Sequence, residues 1–255
     1  MYQDKKEMFK TITKQFVKEA APIVIVAEIY KNLFKRRTRN PLLSFNIDDF
    51  RSLERYPYFF YSNNRQRLKG YMYNKKGIHP NKIIIFAHGF GDGGHHNYLD
   101  IINYLCEKGF YVFGYDATGN DESQGESING FPQGAIDLDA AIMFVEREYP
   151  KYPISLLGHS WGGMLALEYI INKNPKGLDK LILFSSLSSA KVWTDSNMKN
   201  FLKHLDPKLG ERFKKAYKDG YRFLDYQDFI SPSSKLYKYS DESFKNYLFT
   251  NIRVR

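Results

Sequence analysis

Gly158-His159-Ser160-Trp161-Gly162 is the stretch of this chain whose residue types and spacing are best suited to chemistry. A short apolar run, Ile154 to Leu157, leads into it. Apolar residues at helical spacing follow it: Met164, Leu165, Leu167, Ile170 and Ile171. A serine between two glycines, after a strand pattern and before a helical one, is expected at the tip of a turn so tight that flanking side chains would collide. Such a turn lifts the serine hydroxyl above the carboxyl end of a sheet. There the amino terminus of the next helix favours developing negative charge. The chemistry this predicts is nucleophilic attack by Ser160. The alternative, a serine that merely joins strand to helix, is outweighed by the flanking pattern.

Two further loops carry reactive or glycine-rich residues. His88-Gly89-Phe90-Gly91-Asp92-Gly93-Gly94 follows the continuous apolar run Ile83–Ala87, and Asp116 to Gly125 follows Phe110–Tyr115. Gly89 and Gly91 are expected to let the backbone approach a substrate closely. His159, beside the serine, points away from the nucleophile by strand geometry; it is grouped with the two glycines as substrate-binding and reads as structural. His95 and His96 are expected at the mouth of the site. Without a matching Cys, His or carboxylate cluster they do not make a metal site, and neither metal nor organic cofactor is expected. Asp116 and Ser123 are expected to fix their loop by local hydrogen bonds.

The elements that must position these loops follow from periodicity. Phe59–Tyr61 and Leu68–Tyr73 read as a hairpin, and Ile83–Ala87 as a strand buried on both faces. A helix over Tyr98–Glu107 and a strand over Phe110–Tyr115 come next. A long helix follows, with Phe131, Ile136, Ala140, Met143 and Phe144 as its expected core face; it leads to the strand before Ser160. Leu181–Phe184 gives one more strand. Strands alternating with helices across short links predict an α/β fold with a doubly wound, mostly parallel sheet. The expected organisation is a basic helical extension over 1–40, the core over 41–190, and a helical cap or lid over 191–255.

The 255 residues suffice for one large domain. The net charge of +10 is uneven: residues 1–40 hold 10 basic and 4 acidic residues, 191–255 hold 14 and 8, and 41–190 hold 14 and 16. A near-neutral centre argues against nucleic acid as substrate. The extension carries Phe9, Ile12, Phe16 and Ala20 at helical spacing, then Ile23–Ala27, too short to cross a membrane. It is expected to pack on the domain. Weak contact with an anionic membrane surface through Lys35, Arg36, Arg37 and Arg39 is the sharper reading. The single Cys106 excludes an internal disulfide and sits in an apolar helical pattern. With no secretion signal read, a cytoplasmic location is the default.

Four features in order over about residues 58–185 resemble the α/β-hydrolase superfamily, in particular serine hydrolases related to monoglyceride lipases, carboxylesterases and serine aminopeptidases. They are the initial hairpin, the His88-Gly89-Phe90 loop, the Asp116-x-x-Gly119-x-x-x-Ser123-x-Gly125 loop and the Gly158–Gly162 elbow. The resemblance implies that Ser160 is the nucleophile and that the backbone N–H groups of Phe90 and Trp161 form an oxyanion hole. It also implies that His88 supports the oxyanion loop rather than acting as a base.

The family's order places an acid and then a histidine after the serine. Beyond Phe184 the 71 residues to Arg255 hold no strand-end Asp and only one histidine, His204. Asp206, Asp225 and Asp228 lack a sheet-end context. A chain cut after its cap is the first expectation, a catalytically dead ligand-binding member the second, and a base supplied by His204 from the cap the third. The functional expectation is a serine hydrolase that cleaves small carboxylic esters through an acyl-enzyme, with an apolar acyl or aromatic group suggested by the Phe- and Tyr-rich cap. A small-peptide peptidase is the nearest rival. Composition says nothing about oligomeric state.

Overall fold

The structure is a computed structural model. It describes residues 31–188 apart from 43, 63, 64, 92, 174 and 176, with 11, 13, 14, 24 and 28 before them and 196, 199, 200, 203, 204, 207, 210 and 211 after them. Most of the expected amphipathic extension, Phe9 to Ala20, and most of the expected cap therefore lie outside the described residues.

Apolar runs bounded by turn residues become strands. They are β1 (Leu53–Tyr61), β2 (Arg67–Lys75), β3 (Ile83–Ala87), β4 (Tyr111–Asp116), β5 (Ile154–His159) and β6 (Leu178–Phe184). Three helices connect them: α1 (Leu99–Glu107), α2 (Phe131–Glu148) and α3 (Trp161–Lys173). The sheet runs in the order β1-β2-β4-β3-β5-β6. β1 and β2 form an antiparallel hairpin, β2 lies antiparallel to β4, and β4, β3, β5 and β6 are parallel. This is the doubly wound, mostly parallel sheet that the alternating pattern predicts.

Alternation along the central strands divides the core into two layers. Ile84, Phe86, Val112 and Leu157 face α1, where Leu99, Ile102 and Cys106 are buried. Ile83, Ile85, Phe113 and Leu156 face α2 and α3. Each fully buried side chain of this size contributes roughly 1.5–3 kcal/mol. Burial pushes the Cys106 thiol up to about 12, so it stays protonated and acts as a small apolar group.

Two details differ from the periodicity. β1 starts at Leu53, six residues before the expected strand, because an edge strand tolerates Pro57 and solvated charges on its outer side. In α2, Phe131, Ala140 and Phe144 are buried as expected, but Met143 is 57% exposed, while Leu138, Ala141, Ile142 and Val145 join the core. Gly134 lets α3 approach α2 closely, since a Cβ there would lie 2.6 Å from the Leu165 side chain.

β3 is the switch point of the sheet, because the chain leaves it towards β4 and then crosses back to β5. Crevices at the carboxyl ends of strands flanking such a point are where open α/β sheets hold ligands. Pairing of Ala87 with Gly158 sets the loop after β3 beside the loop after β5.

Candidate active site

Ser160 sits between β5 and α3 with φ of 52°, the left-handed region that costs a non-glycine residue about 1–3 kcal/mol. Surrounding backbone bonds hold it there. Its N–H donates to the Phe184 carbonyl at 3.1 Å, and its own carbonyl accepts from Leu187 N–H at 3.0 Å. The flanking glycines are required by space. A Cβ on Gly158 would lie 2.6 Å from Gly163 Cα, and one on Gly162 would lie 2.6 Å from the His88 carbonyl oxygen. Those neighbours are backbone and cannot swing away. The elbow is therefore wedged against the end of β3, as the motif predicts.

His88 braces the adjoining loop. Its Nε2 accepts from Ala117 N–H at 3.1 Å, and its Nδ1 lies 2.8 Å from the Gly89 carbonyl oxygen, which can only accept. The imidazole is thus the neutral Nδ1–H tautomer, and burial lowers its pKa. A fixed Gly89 carbonyl fixes the peptide plane it shares with Phe90, and so the direction of the Phe90 N–H. Gly89 is also required by space. A Cβ there would meet Tyr98 Oη at 2.7 Å and His159 Nδ1 at 2.9 Å, so the glycine makes room for two side chains. Its N–H donates to Tyr98 Oη at 3.1 Å, and that oxygen lies 2.9 Å from His159 Nδ1. Gly91 has φ of 119° and open space around it, so its backbone conformation, and not crowding, demands glycine. Tyr98 carried no signal in the sequence.

His95 and His96 are not at a mouth; both are buried, under 2% exposed, beneath the loop between Asp116 and Glu122. Gly114 leaves the room they need, since a Cβ there would lie 2.6 Å from the His95 ring. Asp116 accepts from His95 N–H at 2.9 Å and from His95 Nδ1 at 2.6 Å, while Tyr73 Oη lies 2.9 Å from Nε2. Burial alone would push the Asp116 carboxyl up. The surrounding imidazoles and the His95 hydrogen bond outweigh it and hold the group at about 2. The result is an Asp–His–Tyr relay that resembles a triad but is sealed from solvent. Ser123 Oγ donates to the Asp116 carbonyl and accepts from Lys69 N–H, so both residues hold their loop as expected.

One ring nitrogen from each of His95 and His96 and an oxygen of Asp116 lie within 4.8 Å of one another, close enough to test as a metal site. Hydrogen-bond accounting speaks against it. His96 Nε2 accepts from Arg55 Nη1 at 3.2 Å, which leaves the proton on Nδ1, 3.2 Å from Asp121 Oδ2 in an off-line contact. A metal on Nδ1 would move that proton to Nε2 and set it against the guanidinium. The cluster fits a polar brace better than a cation.

Burial also gives the protein a pH signature. His88 and His95 are neutral and fully buried, their pKa values lowered chiefly by burial. Below about pH 6.5 the unfolded chain takes up protons that the folded chain refuses. Stability therefore falls with pH at up to ~1.4 kcal/mol per unit for each histidine. Asp137, which accepts from Thr118 and Gln133, is pushed by burial up to about 6 and opposes this trend below that pH. Denaturant midpoints measured from pH 7.5 to 5.5 are expected to fall, more steeply below about pH 6.5 than above it. A flat profile would contradict these protonation states.

The six histidines can now be placed against Ser160. His79 is exposed in the loop that leads into β3, at the opposite end of the sheet. His88, His95, His96 and His159 are engaged as described, and burial lowers the pKa of His159. His204 lies in an exposed turn. Among the described residues, no imidazole is hydrogen-bonded to the Ser160 hydroxyl, and Asp225 and Asp228 lie outside them. Trp161 follows the serine in the chain, and its ring meets that of Phe90 edge to face at 5.6 Å.

Comparison with known proteins supplies the family. The sequence model of the family described as serine aminopeptidase, S33, matches residues 78–239. A proline iminopeptidase of Clostridioides difficile (strain 630) is 34% identical over 160 residues, 56% of this chain and 52% of that protein. One from Lactobacillus delbrueckii subsp. bulgaricus is 34% identical over 151 residues, covering 56% and 49%. The chain thus spans about half the length of the curated relatives it matches. Among solved structures, an esterase of Pyrococcus furiosus superposes with a TM-score of 0.55 at 20% identity, over 73% of this chain and 69% of that one; it supports the fold alone.

Proposed function

Because this chain belongs to the serine aminopeptidase S33 family of α/β hydrolases, we propose that Ser160 carries out acyl transfer on a small carboxyl derivative, with the amino-terminal residue of a short peptide as the acyl group. The protein is a serine hydrolase of the α/β-hydrolase type. The observation that carries the proposal is the strained Ser160 elbow, wedged by Gly158 and Gly162 against the end of β3.

In this reading Ser160 Oγ bonds to the carbonyl carbon as its proton passes to a base. The carbonyl electron pair moves onto oxygen, where the N–H groups of Phe90 and Trp161 receive it. Each such donor is worth about 2.7–4 kcal/mol in acyl-transfer enzymes. Trp161 opens α3, so its N–H has no partner within the helix. Collapse expels the amine, and water then attacks the acyl-serine. His204 remains the candidate base from the sequence, and a base outside the described residues is the alternative.

The sequence alone favoured carboxylic esters. Relatives named proline iminopeptidases shift the preference to prolyl amides. The test is turnover of proline p-nitroanilide beside leucine p-nitroanilide and p-nitrophenyl butyrate. The prolyl amide is expected to be preferred over the leucyl amide. Turnover of the ester alone would return the reading to an esterase. Binding of fatty acid with no turnover at all would indicate a ligand-binding protein.

A further inference from the structure

We propose that residues 34–39 are a positioning strap for the oxyanion loop, with Arg36 and Phe34 as its two working side chains. The inference rests on the reading of Ser160 as nucleophile and Phe90 N–H as an oxyanion donor. In sequence this stretch is part of a basic run. In the structure it threads between the two loops that border the site.

Arg36 acts on the loop after β4. One guanidinium nitrogen, Nη1, donates to the carbonyls of Ser123 at 2.9 Å and Gly125 at 2.7 Å, and Nη2 donates to that of Asp121. Backbone bonds extend the grip. Arg37 N–H donates to Gly119 at 2.9 Å, Asp121 N–H to Arg37 at 2.7 Å, and Ile128 N–H to Phe34 at 2.7 Å. Arg39 Nε stands 3.6 Å from Asp121 Oδ2. The clamped loop starts at Ala117, whose N–H donates to His88 Nε2, and His88 in turn fixes the Gly89 carbonyl. One line of contacts therefore runs from the Arg36 guanidinium to the peptide that presents the Phe90 N–H.

Phe34 reaches the same residue through its ring. It is 1% exposed, and its ring meets those of Phe90 and Phe131 edge-on at 5.5 and 5.3 Å. The glycine stretch of the oxyanion loop also leans on the strap. A Cβ on Gly93 would fall 2.6 Å from Arg39 Cα, so the two backbones are in direct contact. The strap holds Phe90 by its ring and by its peptide plane. A guanidinium suits the second task because its planar fork serves three carbonyls at once, which a single ammonium cannot do.

The test uses the full chain with Arg36→Ala, Arg36→Lys and Phe34→Leu. Arg36→Gln substitutes where Arg36→Ala does not fold. Two quantities are measured: hydrogen–deuterium exchange across 88–91 and 117–127, and the rate of fluorophosphonate labelling at Ser160. Arg36→Ala is expected to speed exchange in both segments while β3 and β5 stay protected, and to slow labelling about tenfold or more, since small misplacements near the reacting atoms are costly. Arg36→Lys should not restore either value, whereas millimolar guanidinium ion added to Arg36→Ala should restore part of both. Phe34→Leu should affect 88–91 but not 117–127. Unchanged exchange at 88–91 in the Arg36 variants overturns the proposal, as does wild-type labelling despite loosened loops. If the wild-type protein does not label, the acyl-transfer reading fails separately. The exchange at 88–91 then decides the strap by itself.

Discussion

Ser160→Ala is expected to abolish fluorophosphonate labelling and to lower hydrolysis by about 10⁴-fold or more. The size of the effect follows from geometry. Two glycines and two backbone hydrogen bonds keep Ser160 at a φ of 52°, an arrangement suited to presenting a side chain at this place. Removal of the hydroxyl should leave the fold intact, because alanine keeps the same Cβ in the same turn. Equal melting points with labelling lost would therefore mark Ser160 as the nucleophile. Labelling of the wild-type chain also requires a base within residues 1–255. Since His88, His95, His96 and His159 are held by other partners and His79 lies at the far end of the sheet, attention would turn to His204. A folded wild-type chain that does not label would mean that no working base lies within residues 1–255, and retained affinity for fatty acid would then be needed to favour the ligand-binding reading.

His88→Ala should produce the largest loss of stability at the site. The variant strips a donor from the Gly89 carbonyl and an acceptor from the Ala117 N–H in a place that water does not reach. Each orphaned buried group costs about 1–3 kcal/mol, so a loss of roughly 2–6 kcal/mol in denaturant unfolding is expected. The Gly89–Phe90 peptide would also be free to turn. Misdirection of one oxyanion donor lowers turnover by about 10²–10³-fold in enzymes of this chemistry. His88→Gln keeps one donor and one acceptor on a planar group and should recover part of both losses. The two measurements separate a brace from a base: a base would forfeit labelling at unchanged stability, and neither variant should do that.

The elbow was legible in the sequence because its constraint is local. Gly158 and Gly162 are four positions apart, and the strand and helix patterns that flank them identify the turn. The loop at His88 was legible for the same reason, at the end of an uninterrupted apolar run. What stayed hidden depends on groups distant in the chain. Arg36 meets Ser123 across 87 positions, and a cluster of arginines in isolation reads as a charged surface. His95 and His96 looked accessible because nothing nearby in sequence announces that Asp116, Tyr73 and Arg55 will receive them. Most of the α2 core face was legible, in Phe131, Ala140 and Phe144; Met143 was not, and Gly134, which lets α3 pack closely, contributes nothing to an apolar pattern.

The placement of Trp161 makes the site its own optical reporter. The indole is 1% exposed among Phe90, Phe131 and His88, and its N–H has no hydrogen-bond partner among the described residues. An indole in such surroundings emits at short wavelength, one residue from the atom that would be acylated. The sequence holds only two tryptophans, and the other is Trp193. With Trp193→Phe, the emission of a single ring would follow formation and breakdown of the acyl-serine in real time, with no chromogenic substrate.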